Sequence, residues 1–265
     1  MIARGTAYDL TGPADAPVLV LIHGLGLTRE TWAEFVPVLS HNYRVLSYDL
    51  CGHGESVLPD QKPSLTVLSE QLLRLLDALG IERATLVGFS LGGMINRRFA
   101  MDHPDRCDAL VILNSPHERT PEAQRLVEER AAATGAGGPA ATIKETLERW
   151  FTPGFRDSNA GTVDWVRETV LTNDPGNYAK HRKVLASGVV ELIRPDPPIT
   201  HPTLVMTCQN DTGSTPEMSH GIASEIPGAE VIIVPTLQHL GLLERPETFT
   251  SPILGFLGQI LRKKE

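Results

Sequence analysis

The chain is poor in aromatic residues, poor in cysteine and short of positive charge, and each shortage removes a class of protein. Lys and Arg number 24 against 32 Asp and Glu, a formal net charge of −8 over 265 residues. A broad electrostatic footprint for nucleic acid is therefore not expected. The same acidity gives no long-range attraction for anionic small molecules, so any anion would need a local cationic pocket. Only three cysteines are present, Cys51, Cys107 and Cys208, far apart and without CxxC spacing. An odd count without a framework points to a reducing compartment, and Cys107 and Cys208 sit in apolar runs where a thiol behaves as a small hydrophobe. The longest apolar run, around Val18 to Leu27, is interrupted by His23 and two glycines and is too short to span a bilayer. The first residues lack the apolar stretch of a signal peptide. These features describe a soluble cytoplasmic protein, with no membrane partner and no metal or cofactor expected.

What is present is a rhythm. Hydrophobic residues make up 41% of the chain, and short apolar runs alternate with longer helical patterns, the signature of an α/β fold with a mainly parallel sheet. Strands are expected at Val18–Ile22, Arg44–Tyr48, Ala84–Val87, Ala109–Leu113, Thr203–Thr207 and Val231–Val234. Helices are expected at Trp32–Leu39, Leu65–Leu79, Leu91–His103, Pro216–Ile226 and Glu247–Arg262. The second is the clearest, with leucines on one face, Ser64 as N-cap and Gly80 just past its end. Between Pro116 and Pro198 the strand signal stops. Helical patterns at Glu122–Ala133 and Ile143–Trp150 flank a small-residue stretch, Thr134–Ala141, which reads as a flexible hinge. The expected organisation is a core of residues 1–115 and 199–265 with a helical cap insertion at 116–198.

Gly88-Phe89-Ser90-Leu91-Gly92 matches G-x-S-x-G between an expected strand and an expected helix. A serine on so tight a turn needs small flanking residues, and the turn aims the N-terminus of the helix at the reaction centre. Ser90 is therefore the candidate nucleophile. A serine hydroxyl needs a base, and His239 follows the last expected strand in the loop Pro235–His239. Asp211 follows the Thr203–Thr207 strand and completes the chain order Ser, Asp, His as the acid that orients the imidazole. His23-Gly24-Leu25-Gly26 follows the first long strand, so the Leu25 N–H and the Leu91 N–H are the candidate oxyanion donors. His23 reads as a structural hydrogen-bonder holding that loop.

With these motifs, and with Asp49-Leu50-Cys51-Gly52-His53-Gly54-Glu55-Ser56, the chain resembles the α/β-hydrolase superfamily over nearly its whole length outside the insertion. The resemblance implies a structural role for Asp49 and its neighbouring glycines. Trp150-Phe151-Thr152-Pro153-Gly154-Phe155 and Thr172-Asn173-Asp174-Pro175-Gly176-Asn177-Tyr178 look like the cap of 3-oxoadipate enol-lactonase-type hydrolases. Where that type carries a Ser/Asn oxyanion loop this chain has His23-Gly24, which fits a general carboxylesterase equally. Serine in place of aspartate at position 90 argues against haloalkane dehalogenases and epoxide hydrolases. The missing HGGPG loop disfavours proline iminopeptidases.

The resemblance thus implies hydrolysis of a small carboxylic ester or lactone through an acyl-enzyme. Hydrolytic carbon–carbon cleavage of a ring-fission product would use the same three residues, and a ligand receptor with a slow triad is a third possibility. Trp150, Phe151 and Tyr178 are candidate pocket residues, since much of the aromatic content falls in the insertion; each could equally pack the cap against the core.

Overall fold

The β-branched and leucine-rich runs fold as the interior of one sheet. In the computed structural model, which describes residues 1–58 and 61–264, eight strands run β1 (Ile2–Ala3), β2 (Thr6–Thr11), β3 (Val18–Ile22), β4 (Arg44–Tyr48), β5 (Ala84–Phe89), β6 (Cys107–Leu113), β7 (Thr203–Cys208) and β8 (Glu230–Val234). Their order is β1-β2-β4-β3-β5-β6-β7-β8. From β4 to β8 every pairing is parallel, whereas β1 and β2 add an antiparallel edge. That edge was not legible in the sequence, because neither strand is a continuous apolar run. Parallel strands are joined by crossover helices, so their C-terminal ends all open on one side of the molecule.

The helices are α1 (Val36–Leu39), α2 (Leu65–Ala78), α3 (Leu91–Asp102), α4 (Pro121–Gly137), α5 (Ile143–Trp150), α6 (Pro153–Ser158), α7 (Ala160–Leu171), α8 (Pro175–Ser187), α9 (Pro216–Ser224), α10 (Gly241–Glu244) and α11 (Glu247–Lys264). Helix α2 is built as its sequence implies: the Ser64 hydroxyl accepts the Val67 N–H at 3.2 Å, and Gly80 takes a φ of 64° just beyond the last turn. The single helix expected over Trp32–Leu39 is instead a 3₁₀ turn at Arg29–Trp32 followed by α1. Pro37 sits in the first turn of α1, where its missing N–H is harmless, and marks a fresh start rather than a continuation.

Five helices, α4 to α8, occupy the chain between β6 and β7, and α4 packs along α8. The stretch expected to be a hinge is regular: α4 runs on to Gly137, and a 3₁₀ turn follows at Gly138–Ala141. The helix is carried into it from Ala131, Ala132 and Ala133 and stops before Gly138, whose φ of 60° ends the run. Helices α6 and α8 were not anticipated, yet both carry a cap-then-proline signal. The Thr152 and Asp174 side chains accept the N–H groups of Phe155 and Asn177, with proline in the first turn of each helix. Among the described residues no helix is long and apolar enough to cross a membrane.

Candidate active site

The site is assembled from four loops, at the C-terminal ends of β3, β5, β7 and β8. Ser90 sits between β5 and α3 with φ 55° and ψ −111°, a left-handed conformation that a non-glycine residue holds only when its surroundings fix it. They do so closely. The Ser90 N–H donates to Leu113 O at 2.8 Å, extending the β5–β6 ladder by one bond, and the Ser115 hydroxyl donates to Ser90 O at 3.0 Å. The buried Arg97, on α3, in turn donates to the Ser115 hydroxyl and to Pro116 O. A Cβ at Gly92 would strike the Ile22 carbonyl, and one at Gly88 would strike the backbone of Gly92. The G-x-S-x-G spacing is thus a packing requirement of this turn.

His239 reaches Ser90 from the loop after β8. Its Nε2 lies 3.2 Å from Ser90 Oγ, and its Nδ1 lies 2.6 Å from Asp211 Oδ2. A carboxylate can only accept, so Nδ1 carries the proton and Nε2 presents a lone pair to the serine hydroxyl. Asp211 is nearly inaccessible, and its other contacts come from the fold. Oδ1 accepts the N–H groups of Gly213 and Ser214, and Oδ2 also accepts the Asn114 amide at 2.9 Å. Burial pushes the Asp211 pKa up. The His239 charge and hydrogen bond, with those from Asn114 and Ser214, outweigh it and hold the carboxyl below its ordinary range. Asn114 was missed in the sequence. It stands just past β6 with φ 45° and meets Asp211 only because β6 and β7 are neighbours.

The imidazole is flanked by Phe89 at 5.0 Å and Trp150 at 6.0 Å between ring centroids. On the other side of Ser90 lies the loop after β3. His23 bridges that loop: Nδ1 faces Gly24 O at 2.8 Å, and Nε2 accepts the Leu50 N–H at 2.9 Å. This is the neutral tautomer. Burial lowers the His23 pKa to about 4 despite the opposing pull of Asp49, so it does not carry protons at neutral pH. Neither the Leu25 N–H nor the Leu91 N–H has an acceptor among the described residues. Asp49 ties the following loop together, accepting from the Arg29 and Glu55 N–H groups and pairing with the Arg29 guanidinium.

A cavity of about 490 Å³ opens over Ser90, with Gly24, Leu25, Asp211, Trp150 and His239 in its wall. Two of the expected pocket residues are elsewhere. Phe151 follows the end of α5 in an extended conformation, is fully buried, and stacks on Phe155 at 5.3 Å. Tyr178, on α8, is buried against Gly26. Both therefore pack the inserted helices rather than line the cavity. Among the described residues the wall holds instead four arginines, Arg119, Arg130, Arg149 and Arg182, which no motif in the sequence marks.

The Asn173–Tyr178 stretch has a definite job. The Asn173 amide donates to Gly26 O at 3.0 Å and the Asn177 amide to Gly52 O at 2.7 Å, so α8 is bound to the two glycine loops beside the site.

A family model described as alpha/beta hydrolase fold matches residues 17–135. A protein of Stutzerimonas stutzeri, provisionally named carbamate hydrolase RutD, is 28% identical over 257 residues, covering 95% of this chain and 96% of its own. The crystal structure of the enol-lactonase from Burkholderia xenovorans LB400 superposes with a TM-score of 0.85 at 29% identity, covering 96% of each chain. A hydrolase from Pseudomonas aeruginosa PA01 superposes with a TM-score of 0.86 at 31% identity, covering 96% of this chain and 94% of its own. By sheet order, by motif and by these relatives, the chain is a hydrolase and belongs to the α/β-hydrolase fold family.

Proposed function

We propose that the protein hydrolyses a small carboxylic ester or lactone, with Ser90 as nucleophile, His239 as general base and Asp211 as the group that orients it. What carries the reading is the continuous line Ser90 Oγ, His239 Nε2, His239 Nδ1, Asp211 Oδ2, with separations of 3.2 and 2.6 Å, at the floor of one cavity. In the first half-reaction Ser90 Oγ bonds to the carbonyl carbon while its proton passes to Nε2. The carbonyl oxygen takes up the negative charge between the N–H groups of Leu25 and Leu91, and losing one such donor typically costs about 3 kcal/mol of transition-state stabilisation. The C–O bond to the leaving group then breaks, and the proton on Nε2 goes to the departing oxygen. In a lactone that oxygen stays attached to the acyl chain. Water, deprotonated by the same nitrogen, attacks the acyl-enzyme, the Ser90 ester bond breaks and Oγ regains a proton.

Residues 116–198 serve in this reading as a cap over a core of 1–115 and 199–265, and the small-molecule substrate enters between them. Three buried free thiols, with burial raising Cys51 to about 11 and Cys107 and Cys208 to about 12, suit a reducing cytoplasm. The test is a panel of short-chain aryl esters, enol-lactones and vinylogous diketones, together with labelling by an organophosphate. Turnover of esters or lactones and stoichiometric loss of label in Ser90→Ala are the expected results. Turnover of the diketones alone would move the reading to carbon–carbon hydrolysis, and no turnover with no labelling would end it.

A further inference from the structure

The chain is acidic overall, yet the cavity above Ser90 is lined by Arg119, Arg130, Arg149 and Arg182, with Asp211 the one acidic wall residue among the described residues. Asp211 is already committed to His239 and Asn114. Among the described residues Arg119, Arg149 and Arg182 form no ion pair. Arg119 donates to Gln124 Oε1 and Ala186 O, and Arg182 lies against the Tyr178 hydroxyl, all neutral partners. Gathering several guanidinium groups in a partly enclosed space costs free energy through mutual repulsion and lost hydration. Burial, then Arg182 and Arg130, depress the Arg149 pKa, which is the electrostatic trace of that crowding.

Arg149 is also the arginine whose position is set by the site itself. The residue before it, Glu148, offers its carbonyl to the Gln238 side chain at 3.4 Å, and the residue after it, Trp150, accepts the Leu240 N–H at 2.8 Å. Gln238 and Leu240 are the two chain neighbours of His239, so Arg149 is carried alongside the imidazole and feels the Asp211 charge. The rest of the wall near the cluster is apolar, including Leu126, Val127 and Leu185. A planar guanidinium donates in a fork that matches a carboxylate, and an apolar surround strengthens such a pair.

We propose that the substrate is anionic: an ester or lactone bearing a second carboxyl group, which seats against Arg149 and Arg182, with Arg130 beside them, while its scissile carbonyl lies over Ser90. This rests on the reading of Ser90 as the nucleophile and names the substrate class for that site. The cluster selects for charge after encounter, because the net charge of −8 gives no attraction at long range.

The test uses the whole protein and two substrates of equal size: the phenyl monoester of adipic acid, which carries a free carboxylate, and its neutral isostere with a primary amide in place of that carboxylate. Phenol release gives kcat/KM for each. At low ionic strength the acid is expected to be preferred by about 30-fold, the size of one or two charge-assisted hydrogen bonds. Arg149→Met and Arg182→Met are expected to bring the ratio of the two substrates close to unity. A second measurement needs no variant: adipate should inhibit phenyl acetate hydrolysis competitively and adipamide should not. A wild-type ratio of one or below, or equal inhibition by the acid and the diamide, would overturn the carboxylate proposal and leave ester hydrolysis standing. Failure to hydrolyse either ester, with no organophosphate labelling of Ser90, would instead remove the nucleophile reading on which it rests.

Discussion

The backbone N–H of Leu240 donates to the carbonyl of Trp150 at 2.8 Å, so the residue that follows His239 is tied to the last turn of α5. A second tie lies one turn away, where the Glu244 carboxylate accepts both the N–H and the hydroxyl of Thr152 at 2.7 Å. Thr152 is the N-cap of α6. The loop that delivers His239 is thereby fastened to the helices inserted between β6 and β7, and the imidazole depends on a segment remote from it in sequence.

Glu244→Ala should loosen this fastening without touching Ser90, Asp211 or His239. Two hydrogen bonds to a charged acceptor are lost and a helix cap is left unsupported, which costs about 2 to 4 kcal/mol when both donors lose their partner. The expected outcome is a lower Tm with a raised KM for ester substrates. An unchanged denaturant midpoint would mean that the two segments are not coupled in this way.

Ser90→Ala is expected to abolish turnover while leaving the far-UV spectrum and Tm close to those of the parent. Alanine in the left-handed conformation of Ser90 carries a Cβ as serine does, so no new backbone strain is introduced. Retained hydrolysis in this variant would remove Ser90 from the mechanism. By contrast, Gly92→Ala should fail to fold or lose several kcal/mol, because the new methyl group meets the Ile22 carbonyl and the surrounding strands cannot give way.

Asp211→Asn should lower kcat by about 10⁴, because an amide can donate to Nδ1 and turn the imidazole into the tautomer whose Nε2 holds a proton against Ser90. Asn114→Ala removes one donor to the carboxylate and leaves the pairing with His239. A smaller fall in kcat, about tenfold, is expected, with KM little changed and the acid limb of the kcat profile moved to higher pH as Asp211 becomes easier to protonate. A tenfold loss with an unmoved pH profile would make Asn114 a packing residue only.

What was legible in the sequence was what is local. Val18–Ile22 and Leu65–Ala78 declare themselves because a buried parallel strand and an amphipathic helix need particular residues at every position. Ser90 was readable because its turn forces glycine at 88 and 92. Asp211 and His239 were readable because both follow strands whose C-terminal ends share one side of the sheet. The partners that arise from topology alone were not. Asn114 reaches Asp211 across 97 positions, and Arg119, Arg130, Arg149 and Arg182 converge from α4, α5, α8 and the segment before them. Each is an unremarkable polar residue until the helices pack. Phe151 and Tyr178 show the converse error, for aromatic residues in an insertion are as ready to fill its core as to face a cavity.

A last prediction concerns three histidines that the chemistry does not use. The His23 and His53 rings lie 5.4 Å apart and the His53 and His181 rings 4.8 Å apart, edge to face, joining the loops after β3 and β4 to α8. All three are buried, and burial lowers each pKa, that of His23 to about 4. The other charged groups acting on this cluster are Asp49, Arg29 and Lys180; the Asp49 carboxylate and the backbone carbonyls of Gly24, Cys51 and Asn177 favour a proton there, and burial outweighs them. In the unfolded chain a histidine titrates near 6.5, so as pH falls below that value the unfolded state takes up protons that the folded state refuses. Stability is therefore fully present above about pH 6.5 and drains away toward the folded pKa values, by up to about 1.4 kcal/mol per pH unit for each histidine. His181→Phe keeps an aromatic ring against His53 and removes one of the three titrations. Urea unfolding at pH 7.5, 6.0 and 5.0 should show the parent losing stability more steeply than the variant over this window. Parallel losses in the two proteins would show that His181 is not buried neutral and that α8 is held to the core by other means.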